Sequence, residues 1–320
     1  MVVMKGTRHA MARRFRKLWL LGEGATSQVF EVVDRLRGGR FALKQLRPEH
    51  RTRERIARFE HEFSVLKTIS HPNVVKGYEL IQDEDAVCLL MEPVLGVDFL
   101  DYVRRGSRVR RAPSGTRTLD SAAGVRAMRP ESFGGALDAG RLKSATMQLL
   151  HGLRAVHAAG RVHCDLKPEN VLVTRAGRAV IVDLGSASSA GCWPGRCRGT
   201  PGFIAPEQFI GRIDSAVDLY ALGALLHCAV TGRLPLGASS GSLDASDGYE
   251  PPLDPRIFAS GIPDDLVRLV LRLLAPEPCA RPSVQEVETL LDECLSAPKC
   301  DRPALARVVT RNRRQGRCAG

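Results

Sequence analysis

The sequence predicts an α+β protein built as two lobes, a small sheet-rich one followed by a larger, mainly helical one. Between residues 18 and 92 the apolar residues fall in short runs broken by Gly-rich turns, whereas from Asp98 onward they recur at helical spacing. The chain has 320 residues, of which 44% are apolar and 26% charged. This is ordinary globular usage, and it excludes a wholly disordered, collagen-like or coiled-coil chain.

Taken in order, Trp19–Leu21, Val29–Val33 and Arg40–Leu46 are strand-like. Arg53–Ser70 carries Ile56, Phe59, Phe63, Leu66 and Ile69 three and four residues apart, a helical stripe. His71-Pro72-Asn73 ends it, because a proline disfavours a helical residue before it. Val74–Ile81 and Ala86–Met91 form a hairpin around the acidic turn Asp83-Glu84-Asp85. Leu142–Ala158, Ala216–Thr231, Pro263–Leu274 and Ser283–Leu295 are apolar-periodic helices, and strand-like pairs return only at Val171–Thr174 and Ala179–Val182. Residues 1–17 read as a basic extension, 104–141 as an Arg-, Gly- and Ser-rich loop or disordered insert, and 298–320 as a basic, flexible tail.

No stretch reaches the roughly 18 apolar residues of a membrane span. The nearest, Ala216–Val230, carries Asp218 and His227. The apolar run Leu18–Leu21 is too short for a signal peptide. The nine cysteines are odd in number and irregularly spaced, which reads as reduced thiols in a cytoplasmic protein.

The chemistry lies in a series of short motifs. Gly22-Glu23-Gly24-Ala25-Thr26-Ser27-Gln28-Val29 joins two strands. Glycines let backbone approach phosphate closely, and the turn leads into a strand, which argues against a dinucleotide-binding fingerprint. Phe41-Ala42-Leu43-Lys44 sets a lysine in an apolar strand, where its charge needs a partner unless it snorkels at an edge. Further on come His163-Cys164-Asp165-Leu166-Lys167-Pro168-Glu169-Asn170, then Asp183-Leu184-Gly185, Gly199-Thr200-Pro201 and Ala205-Pro206-Glu207.

In this order and at this spacing the motifs resemble those of the eukaryotic-type (Hanks-type) serine/threonine protein kinases, over about residues 18–297 and apart from the insert. Compact loops and Arg/Ala/Gly-rich usage give the chain a bacterial character. The resemblance implies the bilobal protein kinase fold, with an N-lobe at 18–92, a hinge at 92–98 and a C-lobe at 98–297. It implies transfer of the γ-phosphate of ATP to Ser or Thr hydroxyls of a protein substrate, with Mg2+ as the metal and Mn2+ as a substitute. Leu21, Gly22, Glu23, Gly24, Ala25 and Ser27 would lie over the nucleotide, with Ser27 standing at the third-glycine position. Val29 and Ala42 would cover the adenine from above and Leu172 from below. Met91 would be the gatekeeper, Glu92 and Val94 hinge residues around Pro93, and Asp98 a partner of the ribose hydroxyls. Lys44 would bind phosphates and pair with a helix glutamate. Glu60 and Glu62 both qualify, and the family's offset from the His-Pro step selects Glu62, with Leu66 one turn on in the hydrophobic spine. Asp165 would be the catalytic base, and Lys167 would neutralise transferring charge. Asn170 and Asp183 would hold magnesium. Thr200 matches the threonine of Ser/Thr-directed members. Glu207 and Arg281 resemble a buried ion pair, and Asp218 resembles the aspartate that caps the catalytic loop.

Some positions depart from the pattern. Cys164 replaces the arginine that, in members having it, binds a phosphate on the activation loop, and Arg196 stands where a phosphorylatable residue is common. The expectation is activity without activation-loop phosphorylation. Leu184 replaces a phenylalanine conservatively. Cys192 and Cys197 flank a turn, with Cys164 nearby, and read as free thiols more readily than as a redox bridge or metal site. His151, His157 and His227 read as structural or exposed.

Competing readings are a pseudokinase or scaffold, opposed by the presence of Lys44, Glu62, Asp165, Asn170 and Asp183, and an anionic-surface or nucleic-acid binder, opposed by the lack of a base-reading motif. The formal charge of +12 resides in the appendages. Arg104, Arg105, Arg108, Arg110, Arg111 and Arg117 cluster in the insert without an acid, either as a solvated loop or as a dock for an anionic or acidic partner.

Overall fold

The structure is a computed structural model that describes residue 11 and residues 13–83, 86–105, 136–192, 199–235 and 251–296. The turn residues Glu84 and Asp85, the insert arginines Arg108 to Arg117, Arg196, Cys197, the side chain of Cys192 and both ends of the chain lie outside these residues.

Five antiparallel strands open the fold: β1 (Phe15–Glu23), β2 (Ser27–Asp34), β3 (Arg40–Leu46), β4 (Gly77–Gln82) and β5 (Val87–Met91), ordered β1-β2-β3-β5-β4. Their faces follow the two-residue strand period. In β3, Leu43 enters the core of the sheet's outer face with Val32, Ile81, Cys88 and Leu90, while Ala42 and Leu46 join the core shared with the helical lobe. Lys44 lies between these two on the inner side. Between β3 and β4 runs α1 (Arg53–Thr68), started by the Thr52 side chain, which accepts from the Arg55 N–H at 3.3 Å. It buries Phe59 and Leu66 of the sequence's stripe together with Glu62 and Val65, while Ile56 and Phe63 are half-buried.

The second lobe contains β6 (Gly96–Asp98), α2 (Phe99–Val103), β7 (Arg104–Arg105), β8 (Ala136–Leu137), α3 (Ala139–Ala158), β9 (Arg161–Val162), β10 (Val171–Thr174) and β11 (Ala179–Ile181). After them come β12 (Ser188–Ser189), β13 (Gly191–Cys192), α4 (Pro206–Phe209), β14 (Arg212–Ile213), α5 (Ser215–Thr231), α6 (Asp264–Leu273) and α7 (Val284–Ser296). Helix α5 is buried from Val217 to Thr231, apolar on every side as a central helix must be. Asp214 caps its start and Gly232, at φ +74°, ends it. None of the described helices is long and apolar enough to cross a membrane.

Two expectations shift. Strand β1 begins at Phe15, inside the segment read as a basic extension. Phe15 is buried in the outer core, and the charged residues around it hide its strand in the sequence. Arg14 is tied down as well: its guanidinium lies 2.8 Å from Asp34 and 2.7 Å from Glu79, which also takes Arg37 at 2.8 Å. The second shift concerns the insert. Arg104 is not a solvated arginine, for it is buried and its Nε donates to the Ala229 carbonyl of α5 at 3.0 Å. With Arg105 it pairs against Ala136 and Leu137, so a short ladder closes the neck of the insert.

Arg14→Met removes the hydrogen-bonded cation from a fully buried Asp34, leaving it the more distant cation of Arg37 at 3.9 Å, which should lower stability by about 3 kcal/mol in urea unfolding at neutral pH. Burial pushes the Asp34 carboxyl up, but Arg14 outweighs it and holds the group below the ordinary carboxylate range; Arg14 also draws Glu79 down. A depressed acid stabilises above its unfolded pKa and loses that contribution as pH falls through its folded value. The difference between parent and variant should therefore shrink below about pH 4.

Candidate active site

A cleft of about 480 Å3 separates the sheet from the helical lobe, within the usual size of a small-molecule site. The β1–β2 turn roofs it with Leu21, Gly22, Glu23, Gly24 and Ser27, and Val29 and Ala42 extend the roof. Leu172 and Val182 line it from the second lobe, Met91 closes it behind, and Glu92 and Val94 bound its edge. Ala25, in the same turn, does not line it. A Cβ built on Gly22 would meet nothing within 4 Å, so the space beside this turn is open.

At the deep end one ammonium holds two acids. Lys44 Nζ donates to Glu62 at 2.9 and 2.8 Å and to Asp183 Oδ1 at 2.9 Å. Glu60 is exposed, so the glutamate selected by spacing is the one in contact. Burial alone would drive the Lys44 proton off, but the two carboxylates hold it on more tightly than usual. Desolvation pushes Asp183 up, and Lys44 with the Gly185 N–H outweighs it, keeping the carboxyl at about 2. Glu62, wholly enclosed, is pushed up to about 7 by burial.

Beside the cleft lies a second polar cluster. Thr200 Oγ1 donates to Asp165 Oδ1 at 2.7 Å and accepts from Lys167 Nζ at 2.9 Å, while Lys167 lies 3.3 Å from Asp165 Oδ2. Asn170, in the short turn Pro168–Asn170 before β10, donates from its amide to the Asp165 carbonyl at 2.8 Å. Its amide oxygen remains an acceptor.

The loop carrying Asp165 is fixed from below. Buried Asp218 of α5 accepts the backbone N–H groups of His163 and Cys164 at 2.9 and 3.0 Å and faces His157 Nε2 at 2.7 Å. Burial raises the Asp218 carboxyl, and His157 with the loop amide reverses this, so it is held ionised. Cys164 has φ +64°, a left-handed conformation that a non-glycine residue keeps only where its neighbours impose it. Glu207 and Arg281 form a bidentate pair, and Arg281 also donates to the carbonyls of Ala275, Ala216 and Pro276.

Asp98 caps α2 by accepting from the Asp101 N–H at 2.9 Å, and burial pushes its carboxyl up to about 6. Some lining residues carry no motif signal. Val75 donates its N–H to Ile181 at 2.9 Å and packs beneath the sheet. Gly96 is required because a Cβ there would lie 2.3 Å from the Val173 carbonyl, and this close β6–β10 pairing sets Asp98 beside Leu172. Glu92 is held by Arg178, which also donates to the Pro72 carbonyl at 3.1 Å. Only long-range contacts could have pointed to Val75, Gly96 and Arg178.

Comparison with known proteins agrees with this architecture. The description "protein kinase domain" matches residues 15–303. The chain is 34% identical over 281 residues to the DNA damage-responsive serine/threonine-protein kinase RqkA of Deinococcus radiodurans, covering 85% of this chain and 38% of that protein. It is 32% identical over 288 residues to serine/threonine-protein kinase PkaA of Streptomyces coelicolor, covering 83% and 47%. To serine/threonine-protein kinase pkn2 of Myxococcus xanthus it is 30% identical over 308 residues, covering 91% and 34%. The chain belongs to the Hanks-type serine/threonine protein kinase family and has its bilobal α+β fold. It spans between a third and a half of the length of these bacterial relatives.

Asp218→Ala strips two buried N–H groups of their acceptor, at about 1–3 kcal/mol each. Thermal unfolding should shift down accordingly, and the shift should exceed that of Asp218→Asn, which keeps one acceptor oxygen.

Proposed function

We propose that the chain is an ATP-dependent protein kinase that phosphorylates Ser or Thr hydroxyls of a protein substrate. The observation that carries the reading is the juxtaposition of the Lys44–Glu62–Asp183 triad in the cleft with the Asp165–Lys167–Thr200 cluster at its side. An apolar roof and floor suit a purine, and the glycine-containing turn that lines the cleft at Gly22 and Gly24 suits its phosphates. The donor set also fits a hard cation, since Asp183 is held ionised and Asn170 keeps an amide oxygen. Bound magnesium would offset the charge of the phosphate oxygens, and Asp183 and Asn170 are the residues to hold it.

The remaining chemistry belongs to the chain. Asp165 Oδ2 orients the acceptor hydroxyl and takes its proton as the oxygen bonds to phosphorus and the β,γ-bridging oxygen leaves with ADP. Lys167 faces the three equatorial oxygens on which the transition-state charge lies. Thr200 holds both side chains in register, the arrangement that favours a Ser or Thr acceptor. Lys44 grips the α- and β-phosphates, and Glu62 keeps it extended. Asp98 serves the ribose, and the backbone at Glu92 and Val94 reads the adenine edge. We assign the catalytic domain to about residues 15–297, with the insert and both ends as appendages.

Activity should not require phosphorylation of the activation segment. Cys164 is a thiol whose Sγ donates to the Val162 carbonyl at 3.5 Å, so no guanidinium stands at this position to pair with a phosphate.

Incubated with labelled ATP, magnesium and myelin basic protein, the parent should transfer phosphate to Ser and Thr, and Asp165→Asn should fall by about two orders of magnitude or more. Equal labelling by both proteins overturns the reading. Phosphatase treatment of the purified parent should change its rate by less than about tenfold, or about 1.4 kcal/mol of barrier, and a larger loss refutes independence from loop phosphorylation.

A further inference from the structure

His61 precedes Glu62 on α1 and takes part in none of the chemistry above, yet it spans from the helix to the segment after Asp183-Leu184-Gly185. Its Nε2 lies 2.5 Å from the backbone carbonyl of Ala187. A carbonyl oxygen only accepts, so Nε2 carries the hydrogen and donates. The acceptor is itself well anchored. Ala187 is fully buried, and its N–H donates to the Leu184 carbonyl at 3.0 Å. The next two residues form β12, paired with β9 as Ser188 to Val162 and Ser189 to Arg161. Arg161 adds a donation to Ser189 Oγ at 2.8 Å. Strand β9 runs directly into His163 and Cys164, the residues held by Asp218. A continuous line of bonds thus joins α1 to the loop that presents Asp165.

The same stretch packs closely on Glu62. A Cβ on Gly185 would lie 3.3 Å from Glu62 Oε2 and 3.2 Å from Asp183 Oδ1, so helix and segment come together here and a side chain would crowd both carboxylates. Rotation of α1 away from the sheet would break the Lys44–Glu62 contact and the His61–Ala187 bond together. Cys164, two residues beyond β9, supplies no cation that could tie the segment to the helix through a phosphate. The geometry points to His61 as the positioning residue that holds α1 inward, and Glu62 on Lys44, through an uncharged backbone acceptor. This assignment rests on the kinase reading and gives a means by which the site is assembled without phosphorylation.

The test compares the parent, His61→Ala and His61→Gln, whose amide nitrogen can stand where Nε2 does, with Asp165→Asn as the inactive reference. Steady-state kinetics are read in both ATP and protein substrate, and backbone hydrogen exchange is read over residues 184–190. His61→Ala should lose at least about fivefold in kcat while its KM for ATP changes less than about twofold, since a misplaced helix affects the reacting geometry more than purine binding. His61→Gln should recover most of the loss, and amides of the β12 region should exchange at least about fivefold faster in the Ala variant alone. A smaller drop in kcat, an equal drop in both variants, or unchanged exchange overturns the assignment. A parent that transfers no phosphate overturns the kinase reading instead, and the exchange data still judge the latch.

Discussion

A single ammonium between two carboxylates organises this molecule. Lys44 comes from the middle of β3, Glu62 from α1, and Asp183 from the segment after β11. None of the three could be buried or crowded alone without a large penalty. Together they draw the sheet, the helix and the second lobe to one point, and the cleft is the space left around it. The enclosed Lys44 keeps its proton because both acids face it, and the partly open Asp183 keeps its charge because Lys44 faces back.

The second constraint is the rigidity of the base beneath Asp165. Helix α5 is apolar almost throughout, and the acid within it is spent on holding backbone. Asp218 forces the loop through a left-handed turn at Cys164, and α5 offers its Ala216 carbonyl to Arg281, whose guanidinium also grips Glu207. Charges buried without solvent and fully bonded make poor sources of net stability but strong determinants of a single geometry. The Arg14–Asp34–Glu79 network serves the outer face of the sheet in the same way, far from the cleft.

Much of this was legible in the chain itself. Helical spacing located α1, α3, α5, α6 and α7, and a short strand-like run beside Gly-rich turns located β3. The kinase family's offset between the helix glutamate and the His-Pro step picked Glu62, the acid now found at 2.8 Å from the lysine. These signals are legible because they are local or because the motifs keep fixed distances along the chain. Arg104 was misplaced among solvated arginines because nothing in its neighbours announces that it packs on α5. Phe15 was lost among basic residues for a related reason, since a strand with one buried face and many charges has little apolar signal.

The sequence by itself determined the fold class and the order of the lobes, since residue type and periodicity are properties of the chain, and its motifs named the cleft side chains through their resemblance to the kinase family. Tertiary structure alone decided which groups share a proton or a charge. It put Gly96 against Val173, Arg178 on Glu92, and His61 under the Ala187 carbonyl. These partners lie 77, 86 and 126 positions apart, and a contact across that distance exists only once the core has closed and the backbone between them has stopped moving.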